Sequence, residues 1–187
     1  IIALIKTIRK NRNLPIILMT SFNPVFVYGE NQFIEDVVSA GVDGVIIPDL
    51  PPEEAIEFSV KAEKQELDMI HLLAPTSTDE RVQIVAKCAR GFIYYISLTG
   101  TTGVRTELSA DLFDKVSLIK QAANIPVLVG FGISTPETAR DAARVSDGVI
   151  VGSAIVNLIE KNSDPSQRSK SLSEFVGSIK QAINEIN

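Results

Sequence analysis

The sequence predicts an α/β fold with parallel strands, and three observations carry that prediction. Short β-rich runs alternate with helical patterns along the whole chain. The strand runs are nearly continuous in apolar residues rather than alternating, which implies burial on both faces, as in parallel sheets. Glycine-bearing turns follow the later strands, at the end of the sheet where parallel α/β folds bind their ligands.

Ile1, Leu4, Ile5 and Ile8 mark one face of an opening helix, ended by Asn11 and Asn13. The first strand is read over Pro15 to Ser21, followed by a loop, FNPVFVYG. Glu30 to Ala40 has helical spacing, with Phe33, Ile34, Val37 and Val38 inward and Gly41 placed to end it. Gly44 to Asp49 is the second strand. Pro51 and Pro52 suit the first turn of the next helix, where a missing N–H costs little, and Glu53 and Glu54 suit the same positive end.

Leu67 to Pro75 is the third strand, and Ser77 to Glu80 fits a capping box for the helix after it. The fourth strand is Phe92 to Ser97, and a longer loop then leads to a helix from about Ser109. Ile125 to Gly130 is the fifth strand, followed by a helix with Pro136 in its first turn. Asp147 to Gly152 is the sixth, running straight into a helix that begins GSAIVNLIEK. A polar linker, Asn162 to Lys170, precedes the last helix, Leu172 to Ile186. These are six βα units in one domain without a composition break. Two architectures fit: an open doubly wound sheet, or a (β/α)8 barrel lacking two units.

Composition narrows the function. Of 187 residues, 45% are apolar and 22% charged, and the formal net charge is −5. An acidic chain without a basic stripe is a poor partner for nucleic acid or an anionic membrane. No apolar run reaches the roughly 20 residues that span a bilayer, and no signal-peptide layout opens the chain, so a cytoplasmic protein is expected. A single cysteine, Cys88, excludes an internal disulfide. One cysteine and one histidine, His71, far apart in sequence, build no usual zinc site, and no Ser-His-Asp arrangement is evident. His71 lies in an apolar strand and reads as a satisfied core histidine; Cys88 reads as an inert thiol on a helix. The chain opens with Ile1 inside a helical pattern, which reads as a truncated start.

The strand ends carry the candidate chemistry. Thr99 to Gly103 follow the fourth strand, Gly130-Phe131-Gly132 the fifth, and Gly152-Ser153 the sixth. Glycines let backbone N–H groups approach an anion. Gly152-Ser153 directly precedes a helix, whose free amides and dipole attract phosphate. In barrels, phosphate binds at the loops after the last two strands, so a phosphorylated small molecule is expected here. The Rossmann fingerprint fails because its third glycine position is Thr135. Phe131 fits either a ring over the ligand or a core side chain; Tyr94 and Ile46 read as core from spacing alone. Asp49 fits a general base, a partner contact or an anion at a helix start.

These segments also resemble, in order and over essentially the whole chain, the tryptophan synthase α subunit family. The resemblance rests on Ala40-Gly-Val-Asp-Gly-Val, Pro48-Asp-Leu-Pro-Pro-Glu-Glu54, Leu73-Ala-Pro-Thr76, Ser97-Leu-Thr-Gly-Thr-Thr-Gly103, Gly130-Phe-Gly-Ile-Ser134 and Gly152-Ser-Ala-Ile-Val156. It implies a partial TIM (β/α)8 barrel, strands three to eight, and a lyase that cleaves indole-3-glycerol phosphate to indole and glyceraldehyde 3-phosphate in tryptophan biosynthesis. By position it implies phosphate binding at Gly103, Gly132, Gly152 and Ser153. It implies pocket walls at Ile46, Tyr94, Thr102 and Phe131, and a lid from Leu98 to Leu108. Asn23 and Asp49 would contact a β subunit in an α2β2 assembly. No cofactor is implied on this chain; pyridoxal phosphate belongs to the β partner. The family's catalytic Glu and Asp match no position here, and Ser21-Phe22 and Thr101 depart from the usual pattern. Two other readings compete: another phosphate-binding barrel isomerase or epimerase, and a non-catalytic partner-binding module.

Overall fold

The computed structural model describes residues 1–97, 110–130 and 132–186. The expected lid, with Thr102 and Gly103, and Phe131 lie outside the described residues. The chain divides into two compact units, Ile1–Leu72 with Asp79–Ile93, and Leu73–Thr78 with Tyr94–Asn187.

The first unit carries α1 (Ile2–Arg9), β1 (Ile17–Met19), α2 (Phe22–Tyr28), α3 (Glu30–Ala40), β2 (Gly44–Ile46), α4 (Ile56–Glu63), most of β3 (Asp68–Leu73), and α5 (Asp79–Cys88). β1, β2 and β3 pair in parallel, with Ile17 opposite Gly44 and Val45 opposite Met69. The expected burial on both faces holds for β2, whose three residues are all buried. The core joins Ile34, Val37 and Ala40 of α3 to Val45, Phe58 and Met69. Each of these side chains other than that of Ala40 contributes about 1.5–3 kcal/mol when fully buried.

Helix α3 has the bounds the sequence predicts. Gly41 ends it in the left-handed region (φ 91°), donating to Val37 O and Val38 O. A side chain at 41 would also meet Arg9 Cγ at 2.8 Å.

Several expectations need correction. FNPVFVYG is a helix, α2, rather than a loop. Only Ile5 of the predicted α1 face is buried, with Ile1, Leu4 and Ile8 exposed. Pro51 and Pro52 do not open α4. They form a separate turn, with Glu54 and Ala55 N–H both donating to Pro51 O, and α4 begins at Ile56. The helix expected from Ser77 begins at Asp79, and the Ser77 hydroxyl accepts the Ala74 N–H at 3.0 Å.

The second unit carries β4 (Ile93–Ile96), α6 (Ala110–Ala122), β5 (Val127–Gly130), α7 (Pro136–Ala143), β6 (Gly148–Ile150), α8 (Ser153–Lys161) and α9 (Pro165–Asn184). The strand order is β4-β5-β6, with β5 and β6 parallel. Val116, Ile119, Val127, Val129, Ala139 and Ala142 are all but fully buried here. α7 opens as predicted, with Pro136 at its first position and a reciprocal Thr135–Thr138 capping box. The polar linker is shorter than expected. Asp164 caps α9 by accepting the Gln167 N–H at 2.8 Å, and Pro165 starts the helix.

One corner occurs in both units. In the first, Asp43 N–H donates to Ile16 O at 2.9 Å, while its carboxylate accepts the Ile16 N–H at 2.6 Å. In the second, Asp147 makes the same pair of bonds with Val127, at 2.9 and 2.8 Å. Each aspartate directly precedes its strand, and each bonded residue follows a proline, in Asn13-Leu-Pro-Ile16 and Asn124-Ile-Pro-Val127. A cation from the preceding helix completes each corner: Arg9 pairs with Asp43, and Lys120 reaches Asp147 at 2.7 Å. The corner fixes where one strand starts relative to the next. Register therefore decides which residues emerge at the far ends.

Candidate functional site

The site of the second unit grows from what the sequence puts after β5 and β6. Gly132 has φ 80°, a conformation open to glycine at little cost, and it turns the chain toward Ser134 and the α7 cap. After β6, Gly152 is the N-terminal cap residue of α8, with no side chain completing the cap. Its carbonyl accepts the N–H groups of Ile155 and Val156 at 2.9 and 3.2 Å, so the helix winds from this residue. The amides of Ser153 and Ala154 precede the first intrahelical donors and have no acceptor within the helix. A Cβ built at Gly152 meets nothing within 4 Å, so open space lies against its bare Cα.

That space is part of a cavity of about 680 Å3 lined by Tyr94, Gly132, Ser134, Gly152 and Ser153. Asn157, Lys161 and Phe175 line the rest of it. Four residues singled out from the sequence, Tyr94, Gly132, Gly152 and Ser153, therefore share one cavity. The first turn of α8, with amides that have no acceptor within the helix, its dipole end and the Ser153 residue, lines it, a set of donors suited to an oxyanion.

Among the described residues Tyr94 is held by contact with Gly130. A Cβ at Gly130 would stand 2.5 Å from Tyr94 Cε2 and 2.7 Å from its hydroxyl. The strand needs glycine there because the phenol ring lies across it. Burial pushes the Tyr94 hydroxyl above its ordinary value, so it stays protonated and available as a donor at neutral pH.

The other predicted residues that are described, Ile46, Asn23 and Asp49, do not line this cavity. Ile46 is buried on β2 opposite Ile70, in the first unit, and does not line this cavity. Asn23 is exposed on α2. Asp49 accepts the Phe22 N–H at 2.8 Å, holding the start of α2 rather than that of α4. Phe26 and Val27, later on α2, are 65% and 76% exposed, an unusual pair for a short helix.

His71 is buried, as expected, but its Nε2 has no hydrogen-bond partner among the described residues, so it is not satisfied. Burial drives its pKa down to about 4 against the opposing pull of Glu53. Cys88 is half-buried, and burial raises its pKa, which fits an unreactive thiol. Among the described residues no group of three or more His, Cys, Asp or Glu is placed to hold a metal ion, and no helix is long and apolar enough to cross a membrane.

Reading from the sequence missed Asn157, Lys161 and Phe175. A signal existed for two of them: Ala154, Asn157, Leu158 and Lys161 recur at the spacing of one helical face once Gly152 is taken as the helix start. Phe175 comes from α9, and nothing local announces it.

The sequence profile of the tryptophan synthase alpha chain family matches residues 1–184. The tryptophan synthase alpha chain of Geotalea uraniireducens is 46% identical over 186 residues, which are 100% of this chain and 69% of that one. That of Geobacter sulfurreducens is 44% identical over 183 residues, covering 98% and 69%. Among solved structures, the alpha chain from Legionella pneumophila superposes with a TM-score of 0.88 at 36% identity, covering 100% of this chain and 69% of that one. A chain of the tryptophan synthase a2b2 complex from Pyrococcus furiosus gives 0.87 at 32% identity, covering 96% and 72%. The fold class expected from the sequence, six parallel βα units of a TIM-type barrel, holds. With nearly its whole length matched by the profile and by relatives well above 40% identity, the chain belongs to the tryptophan synthase alpha chain family, of tryptophan biosynthesis.

Proposed function

We propose that these 187 residues hold the phosphate of indole-3-glycerol phosphate at Gly132, Gly152 and Ser153, together with Gly103. Tyr94, with Phe131 and Thr102, walls the indole side. The observation that supports this best is the shared cavity of Tyr94, Gly132, Gly152 and Ser153 at the unpaired start of α8. Backbone donors bind a phosphate without protonation changes of their own, so the site leaves the chemistry to other groups.

That chemistry is a retro-aldol cleavage needing one acid and one base, without a cofactor on this chain. The family's acid and base match no position between Ile1 and Asn187. We therefore read this segment as the ligand-holding part of the lyase, and expect it to have no appreciable turnover by itself. The exposed apolar residues of α2, beside Asn23 and the Asp49 anchor, suit docking of a pyridoxal-phosphate-bearing β subunit in the cytoplasm. The named a2b2 relative supports such an assembly.

Calorimetric titration with glyceraldehyde 3-phosphate tests the reading. Binding is expected in the wild type and loss in Gly152→Val, whose side chain would fill the space at the α8 start. Equal heats in both would refute the phosphate assignment. Release of indole from indole-3-glycerol phosphate by the 187 residues alone would refute the division of labour.

A further inference from the structure

The phosphate cradle is built from neutral donors, yet the molecule around it is acidic, with a formal net charge of −5. A phosphate monoester near neutral pH is largely a dianion. Among the described residues lining the cavity one charged side chain is present, Lys161. We infer that Lys161 is the charge-recognition residue of this cavity, selecting phosphate dianions over uncharged analogues of the same shape; the inference rests on the phosphate reading above.

Three features place it in that role. Ala154, Asn157, Leu158 and Lys161 line the cavity from one face of α8, so a continuous wall runs from the cradle to the lysine. Ser153 and Lys161 are separated by roughly 12 Å along the axis at 1.5 Å per residue. Helical side chains lean toward the N-terminus, so an extended lysine closes about half of that gap. Finally, the lysine is not used to end its own helix: Asn162 Nδ2 donates to Leu158 O at 2.8 Å, supplying the cap. The side chain is exposed, and no ion pair is found for it among the described residues. The negative end of α8 also favours a cation in its last turn.

Inorganic phosphate is titrated calorimetrically into the wild type, Lys161→Met, Lys161→Arg and Lys170→Met, at about 0.01 M and about 1 M salt, where the screening length is roughly 30 and 3 Å. Lys170, on α9, pairs with Glu174 at 3.9 Å and does not line the cavity, so it controls for net charge. Lys161→Met is expected to weaken binding roughly three- to tenfold at low salt and less than twofold at high salt. Lys161→Arg and Lys170→Met should stay near wild type, and all four should melt together. If the wild type binds and Lys161→Met binds equally well at low salt, or Lys170→Met loses as much, the role of Lys161 is overturned while the phosphate reading stands. If the wild type gives no heat with phosphate or with glyceraldehyde 3-phosphate, both fall.

Discussion

The carboxylate of Asp49, just beyond β2, accepts the backbone N–H of Phe22 at 2.8 Å. Ser21, the residue in the capping position of α2, makes no side-chain cap of its own. Asp49 therefore supplies from a distant loop what a local cap would normally supply. A seven-residue helix is marginal alone, so this bond has leverage over the exposed Phe26 and Val27. Asp49→Ala should destabilise α2 by about 1 kcal/mol, as loss of a cap does. Amide exchange across 22–28 should speed about fivefold, with α3 unaffected; unchanged exchange would remove Asp49 from this role.

Gly130 and Tyr94 form a second dependent pair. Gly130→Ala forces a Cβ into the phenol ring and should cost roughly 1–3 kcal/mol, as overpacking does. Tyr94→Leu should recover most of that loss in the double variant. Tyr94→Phe should not, because the ring carbon Cε2 is as close as the hydroxyl. Thermal melts of the wild type, the three single variants and the two double variants decide it, and additive losses for Gly130→Ala with Tyr94→Leu would contradict the geometry.

His71 gives the protein a defined acid response. Its folded-state pKa of about 4 lies below the ordinary 6.5, because burial disfavours the charged ring. The unfolded chain therefore takes up this proton first as pH falls. The stability contributed by the neutral histidine is full above about pH 6.5 and is lost progressively toward pH 4, by at most on the order of 3 kcal/mol. His71→Phe should flatten urea midpoints between pH 6.5 and 4.5, and parallel curves for the two proteins would argue against it.

Asp147 acts lower on the pH scale. Burial pushes its carboxyl up, but bonds from Lys120 and the Val127 N–H, with the Lys120 charge, bring it below its ordinary value. Its contribution is present above about pH 4 and is lost as the pH falls further. Asp147→Ala should cost about 1–2 kcal/mol, since it strands the Val127 amide at the start of β5. Lys120→Met removes only a surface ion pair and should cost less than about 1 kcal/mol. Equal losses from both would place the value of the corner in the ion pair rather than the strand-to-strand bond.

The order of elements was legible because each strand is a short apolar run between turn residues, and α3 and α7 carry their own stop and start signals, Gly41 and Thr135-Pro136. The glycine that opens α8 was legible for the same reason: a glycine at a helix start is a local statement. Where reading failed, the deciding interaction was distant. α2 has a proline inside it and no local cap, and Asp49 rescues it from 27 positions away. The Pro51-Pro52 pair looked like a helix start, but its turn closes on itself before α4 begins.

The sequence by itself determined the parallel βα alternation, the bounds of α3, the capping box of α7, and the glycines at Gly132 and Gly152. All of these follow from conformational preferences within a few residues. Tertiary structure decided that Tyr94 lies across Gly130, that Lys161 and Phe175 share the cavity with Gly152, and that Asp49 caps α2. Contacts between residues far apart in sequence depend on strand register and helix packing. Those are set by the fit of the whole core, and no local pattern encodes them.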